Sequence, residues 1–228
     1  MAKAYFTKEL FAFLTDLRRN NDREWFKEQK ERFESVARDP FLQLIRDLGP
    51  RLAKLSPNLV ADPRPSGGSM MRMYRDTRFS ADKAPLRTGI AARFLNSRAP
   101  KDANPGFYLH LEPGESGLGA GLWRPEPGAL KQIRDAIATD PKGWEKAAAK
   151  RRFQTGCGMI GESLKRPPAG YDPNHPAIED LKRKDFAISV PLTDRDVVSA
   201  GLLDLVVERY REQVPFVRFL SDALDVEF

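Results

Sequence analysis

The apolar residues keep a helical period from residue 7 to residue 52, after which Pro57, Pro63 and Pro65 end it and strand-like segments follow. Thr7 suits the N-cap of a first helix over residues 7–19, with Phe11, Leu14 and Leu17 at helical spacing and Asn20-Asn21 as the break. Asn21, with Glu24 three positions on, reads as a capping-box variant that opens a second helix carrying Trp25, Phe26, Phe33 and Val36. Pro40 fits the first turn of a third helix, whose stripe is Phe41, Leu44, Ile45, Leu48 and Leu52.

Beyond the prolines, Ser66-Gly67-Gly68 precedes an expected strand over residues 69–75. Phe107-Tyr108-Leu109-His110-Leu111-Glu112 alternates as a half-buried strand must, and residues 117–123 return antiparallel after a Pro-Gly turn. Helices are expected over residues 129–139, 142–152, 195–213 and 215–224, with a strand over 186–190. This order lacks the strand-helix alternation of a doubly wound sheet. The expected class is therefore α+β, a mixed or antiparallel sheet packed against N-terminal and C-terminal helices. A single domain is expected over residues 1–228: helical in 1–55, sheet-rich in 66–125 and mixed helical in 126–228, with residues 55–66 as the only seam.

Charge is segregated along the chain. The net charge is +6, from 38 Lys and Arg against 32 Asp and Glu. Residues 64–93 hold seven cations and two carboxylates, whereas residues 194–228 hold four cations and eight carboxylates. Within the basic part, Arg72, Arg75, Arg78, Lys83 and Arg87 fall in seventeen residues with only Asp76 and Asp82 among them. Guanidinium groups so close together need neutralising, and either an external anion or an internal Arg-Asp network meets that need. Strand alternation would send Arg72 and Arg75 to opposite faces, so only some of the five can share one pocket.

His110 shares a strand face with Tyr108 and Glu112, an arrangement that presents an acid-base group and a phenol to a cleft, or merely a half-exposed polar face. His175, between prolines, suits a cap for a helix near Ala177. Two distant histidines and one cysteine do not make a zinc site, which leaves an all-carboxylate magnesium site as the open metal alternative with no ligands assigned, and Cys157 has no local base and reads as an inert small residue. Gly117-Leu118-Gly119-Ala120-Gly121 does not run into a helix, which removes the phosphate-loop reading and leaves a strand that something can approach closely. Trp123 flanks that approach, as core or as a stacking platform.

The segments Arg72-Met73-Tyr74-Arg75-Asp76-Thr77-Arg78-Phe79-Ser80 and Lys83-Ala84-Pro85-Leu86-Arg87-Thr88 resemble the family called domain of unknown function 2461. Asn20-Asn21-Asp22-Arg23-Glu24-Trp25-Phe26, Tyr108-Leu109-His110, Gly121 with Trp123, Pro168-Ala169-Gly170-Tyr171, His175-Pro176 and Pro215-Phe216 also look like that family's pattern. The resemblance covers nearly the whole chain and implies one full-length domain, but no reaction, cofactor or catalytic residue. Ala169 stands where that pattern usually has an arginine, which argues against chemistry at that position.

The expected function is binding of a phosphorylated or otherwise anionic small molecule by Arg72, Arg75, Arg78, Lys83, Arg87 and Thr88, with Tyr108 and Trp123 shaping the pocket. Should the chain be an enzyme, Asp76 and His110 are its acid-base candidates by chemical type; its cofactor is unknown. One alternative is a nucleic-acid-associated module using a second basic region at Lys131, Arg134, Lys142, Lys146, Lys150, Arg151 and Arg152, which lacks a reading motif. Another is a protein-interaction scaffold in which the Arg-Asp network is structural. No apolar run approaches eighteen residues and the start is charged by Lys8-Glu9, so neither a membrane span nor a signal peptide is expected and the expected location is the cytoplasm.

Overall fold

The structure is a computed structural model that describes residues 4–78, 80–100, 103–148 and 158–228. Helix α1 (Lys8–Arg19) begins where Thr7 leaves the extended region and accepts from the Glu9 amide, and it buries Leu10, Phe13, Leu14 and Leu17. The capping box expected at Asn21 is corrected. Asp22 caps α2 (Arg23–Glu28), its carboxylate accepting from the Trp25 N–H at 2.8 Å, where negative charge also complements the helix dipole. The second expected helix is in pieces: α2, a short α3 (Lys30–Phe33) and a π-helical turn, Glu34–Arg38, which runs into α4 (Asp39–Leu52). Pro40 accounts for the turn, since it has no N–H for the Val36 carbonyl, and the Asp39 N–H instead reaches back five residues to Glu34.

The described strands are β1 (Ile90–Phe94), β2 (Gly106–Leu111), β3 (Gly117–Leu122), β4 (Gly158–Ile160) and β5 (Phe186–Pro191). They pair antiparallel throughout, in the order β1-β2-β3-β5-β4, so the protein is an α+β fold with an antiparallel sheet. The expected hairpin is β2 and β3. Strand β1 escaped the sequence reading because Ala91 and Ala92 are both buried on opposite faces and hide the alternation. The strand expected over residues 69–75 is corrected to an extended segment on the outer edge of β1. It bridges there at Met70 to Ala92 and then turns onto its own return at Tyr74 to Leu86. The Arg87 N–H donates to the Met73 carbonyl at 2.9 Å, so residues 73–78 and 80–87 belong to a looped-back arm whose base sits against the sheet.

The remaining helices are α5 (Pro127–Thr139), α6 (Pro141–Ala147), α7 (Ile178–Leu181), α8 (Asp194–Val197) and α9 (Leu202–Ala223). The two C-terminal helices expected on either side of Pro215 are corrected to one: α9 runs through Pro215, which removes only the N–H that would have met the Arg211 carbonyl. Residues 149–152 of the expected helix 142–152 lie outside the described residues, as does Cys157. Among the described residues no helix is long and apolar enough to cross a membrane.

Alternation along β2 divides its side chains. Phe107, Leu109 and Leu111 enter the core, where the Tyr210 ring of α9 lies 4.5 Å from that of Phe107 and its hydroxyl donates to the Tyr108 carbonyl at 2.9 Å. Tyr108 and His110 point to the opposite face. Buried Trp144 closes the other end of the core against Phe186, Phe216 and Phe219. Gly121 joins the two regions with φ +111°, and a Cβ there would lie 2.1 Å from the Phe186 carbonyl oxygen and 2.7 Å from Phe216 Cε1. Gly121→Ala is therefore expected to destabilise the fold by about 3 kcal/mol, from backbone strain and overpacking together. Urea unfolding measures this, and an unchanged midpoint would show that the α9 contact yields freely.

Candidate functional site

Most of the clustered cations are spent on holding their own arm together. Arg75 donates to Asp82 at 2.5 Å and to the Ala84 carbonyl at 3.2 Å, while Asp82 also accepts from the Ala84 N–H. Arg78 makes a two-pronged pair with Asp76 at 3.0 and 2.7 Å, and Lys83 donates to the Thr77 carbonyl at 3.1 Å. The Asp76 carboxyl is held below its usual range by the Arg78 hydrogen bonds, and that of Asp82 by the Ala84 N–H and then Arg75.

Asn21 fixes where this arm meets the rest of the molecule. Its side-chain carbonyl accepts from the Leu86 N–H and its amide donates to the Leu86 carbonyl, each at 3.0 Å. That bidentate clamp explains why Asn21 is not a cap, and it lays Arg87, Thr88 and Gly89 across the end of β2. Gly89 has to lack a side chain, because a Cβ there would lie 2.7 Å from His110 Cε1. A cleft of about 310 Å³ opens at this junction, lined among others by Arg75, Arg87, Thr88, Tyr108, His110 and Glu112.

Glu112 organises the cleft. One carboxylate oxygen accepts from Arg18 of α1 at 2.7 Å and the other meets His110 Nε2 at 2.7 Å. Hydrogen bonds from His110, and then from Thr88 and Arg18, outweigh the burial that opposes charge and lower its pKa to about 2. An ionised carboxylate only accepts, so Nε2 of His110 is the donor in this contact. His110 Nδ1 is buried and has no hydrogen-bond partner among the described residues, and the same is true of Arg87 Nε. The Tyr108 and His110 rings lie nearly parallel, 12° apart in plane, and burial pushes the Tyr108 phenol up.

A second cleft, about 530 Å³, shares Arg87 and Tyr108 with the first and extends past Gly119 to Trp123, which is 51% exposed. Of the residues expected at a site, Arg75, Arg87, Thr88, Tyr108 and His110 thus meet in the first cleft and Trp123 flanks the second. Arg72, Asp76, Arg78 and Lys83 line neither. Asp76 and His110 are not brought together, and the carboxylate that reaches the imidazole is Glu112. Its position two residues after His110 on the same strand face was the available signal; Arg18 and Asn21 gave none, because their partners are distant in sequence. His175 is a brace, with Nδ1 accepting from the Ala177 N–H at 3.1 Å and Nε2 beside the Ala138 carbonyl at 3.2 Å. Among the described residues no group of three or more His, Cys, Asp or Glu side chains is placed to hold a metal ion.

The family model described as a conserved hypothetical protein (DUF2461) matches residues 9–219 of the chain. No curated protein and no solved structure matches it.

The folded pKa of Glu112 lies below its ordinary value of 4.5, so its stabilisation is present above that pH and is lost as the pH falls toward about 2. The expected contribution at neutral pH is about 3 kcal/mol. Denaturant unfolding of wild type and Glu112→Gln across that window should show a steep acid limb for the former and a flatter one for the latter. Parallel limbs would mean that the carboxylate is not paired in solution.

Proposed function

This chain belongs to the DUF2461 family of conserved hypothetical proteins, and we propose that it binds a small anionic, phosphate-bearing ligand in the cleft between residues 84–89 and β2. The family description names no reaction, so the reading rests on the site. The observation that carries it is Arg87, whose buried Nε lacks a partner and which forms no ion pair among the described residues. Glu112 is matched by Arg18 and Asp82 by Arg75, which leaves the Arg87 guanidinium as the uncompensated charge of the cleft wall. Such a charge, partly withdrawn from water, is stabilised by an anion that accepts planar paired donors, and phosphate does so. The Tyr108 phenol supplies a further donor beside it. A ligand larger than phosphate itself has room to continue into the second cleft toward Trp123.

A small anion accounts for these features better than a nucleic-acid backbone does. In the second basic stretch Lys131 is paired with Asp135 at 2.5 Å and Arg134 donates to the Arg183 carbonyl, while Lys150, Arg151 and Arg152 lie outside the described residues.

Thermal unfolding with added inorganic phosphate, at matched ionic strength against chloride, tests the reading. Phosphate at ten times its dissociation constant should stabilise wild type by about 1.4 kcal/mol. Arg87→Gln should remove that gain while leaving the protein folded, and Arg78→Glu should keep it. Loss of the gain in Arg78→Glu together with its retention in Arg87→Gln would move the anion site to the exposed arm.

A further inference from the structure

We infer that the second cleft takes a nucleoside monophosphate, its flat ring against Trp123 and its phosphate at Arg87 and Arg93; this rests on the anion-binding reading above and names the ligand class. The sheet sets the phosphate end. Arg93 of β1 is the register partner of Tyr108, so alternation puts both on the face away from α9, and Arg93 stands exposed there. Burial pushes the Tyr108 phenol up, and the charges that oppose it are Arg87 and then Arg93, which brings both cations near one hydroxyl in the cleft wall. Neither cation has an ion-pair partner among the described residues.

The ring end lies farther along β3. Gly119 pairs with Tyr108, and a Cβ there would lie 3.2 Å from the Tyr108 Cβ, so the tyrosine covers that glycine. From Gly119 the strand runs about 10 Å to Leu122, just before Trp123. That separation suits a phosphate joined to a ring through a pentose and exceeds the reach of one joined to it directly. Trp123 is half exposed in the cleft wall, which leaves its indole open to stacking. Its position is held from behind. Arg124 has φ +51°, unusual for a residue with a side chain, and buried Asp185 secures that turn by accepting from the Arg124 N–H at 2.9 Å. The other Asp185 oxygen accepts from the Glu162 N–H at 2.9 Å, so one carboxylate sets both Trp123 and the segment after β4, whose Ile160 also lines the cleft. Glu126 lines this end and spends no oxygen on capping α5, so its carboxylate accepts from ribose hydroxyls and turns a phosphate away. Arg124 is here too, but Glu162, held below its usual range by Lys184, also feels Arg124, so that cation has a carboxylate nearby. The cleft thus offers uncompensated cations at Tyr108 and an indole with a carboxylate at Trp123.

Thermal unfolding and tryptophan fluorescence of the full chain test this with inorganic phosphate, ribose 5-phosphate, and adenosine and uridine monophosphate (AMP and UMP), at matched ionic strength. Both nucleotides should bind at least about 10-fold more tightly than ribose 5-phosphate, the gain expected from stacking one base. Both should also quench the emission. Of the three tryptophans, Trp144 is buried and Trp25 stacks on Phe13, so the quenching reports Trp123. Trp123→Leu should lose the quenching and the nucleotide advantage while binding ribose 5-phosphate like wild type. Arg93→Gln should weaken all four ligands alike.

If phosphate and ribose 5-phosphate stabilise the protein but neither nucleotide binds better, or if Trp123→Leu keeps the nucleotide advantage, the ring site is overturned and the anion-binding reading stands. If phosphate and ribose 5-phosphate leave the melting temperature unchanged while adenosine quenches Trp123 as strongly as AMP, the anion-binding reading has failed and the nucleotide falls with it. Binding of none of the four overturns both. A single-stranded oligonucleotide that binds more tightly than AMP, with a steep salt dependence, would overturn the small ligand in favour of a nucleic-acid groove. The comparison of AMP with ribose 5-phosphate needs wild type alone, so it decides the matter even where a variant fails to fold.

Discussion

A carboxylate with only a tenth of its side chain exposed has to be paired well to remain charged, and Glu112 is paired from two directions at once. Arg18 comes from the last turn of α1 and His110 from the same strand face as Glu112, so a single ionised group ties the N-terminal helices to β2 and sets the imidazole in one orientation. Thr88 joins from the arm. The cleft exists in its present shape because these pieces are drawn to one charge, and without it Arg18 and His110 would face each other with nothing between them.

The second constraint is the placement of the arm itself. Asn21 returns both hydrogen-bonding groups to the Leu86 backbone, and the absence of a side chain at Gly89 lets the chain pass within contact of His110. Together they set how the cations of the arm lie against the cleft. Arg75 and Arg78 find carboxylates seven and two residues away and Lys83 a carbonyl six residues away, so their donors are directed within the arm. Arg87 sits at the base of the arm, against the sheet, where no carboxylate among the described residues pairs with it. Position in the arm, not the residue type, separates the structural cations from the one on which a ligand reading stands.

How far these features were legible in the chain follows from the range of each interaction. The α1 helix, the β2-β3 hairpin, the antiparallel option for the sheet and the polar face Tyr108-His110-Glu112 were readable because each is written in neighbouring residues. Strand β1 was hidden by two adjacent buried alanines, and the break between two C-terminal helices was over-read from Pro215, whose missing N–H a packed helix absorbs. The Asn21 capping reading failed by one residue, since Asp22 is the better cap and Asn21 has a partner 65 positions away.

By itself, then, the sequence determined that this chain forms an α+β fold with amphipathic helices around a sheet, that its middle carries an excess of guanidinium groups, and that a histidine, a tyrosine and a glutamate share one strand face. Those properties depend on residue order and on the two short periods of helix and strand. Only the tertiary structure decided that Arg18 reaches Glu112 and Asn21 the arm, that Asp76 lies off the cleft, and that Arg87 and His110 line it together. These are matters of pairing between distant segments, and electrostatic and hydrogen-bond energies depend on separations in space that residue numbering does not contain.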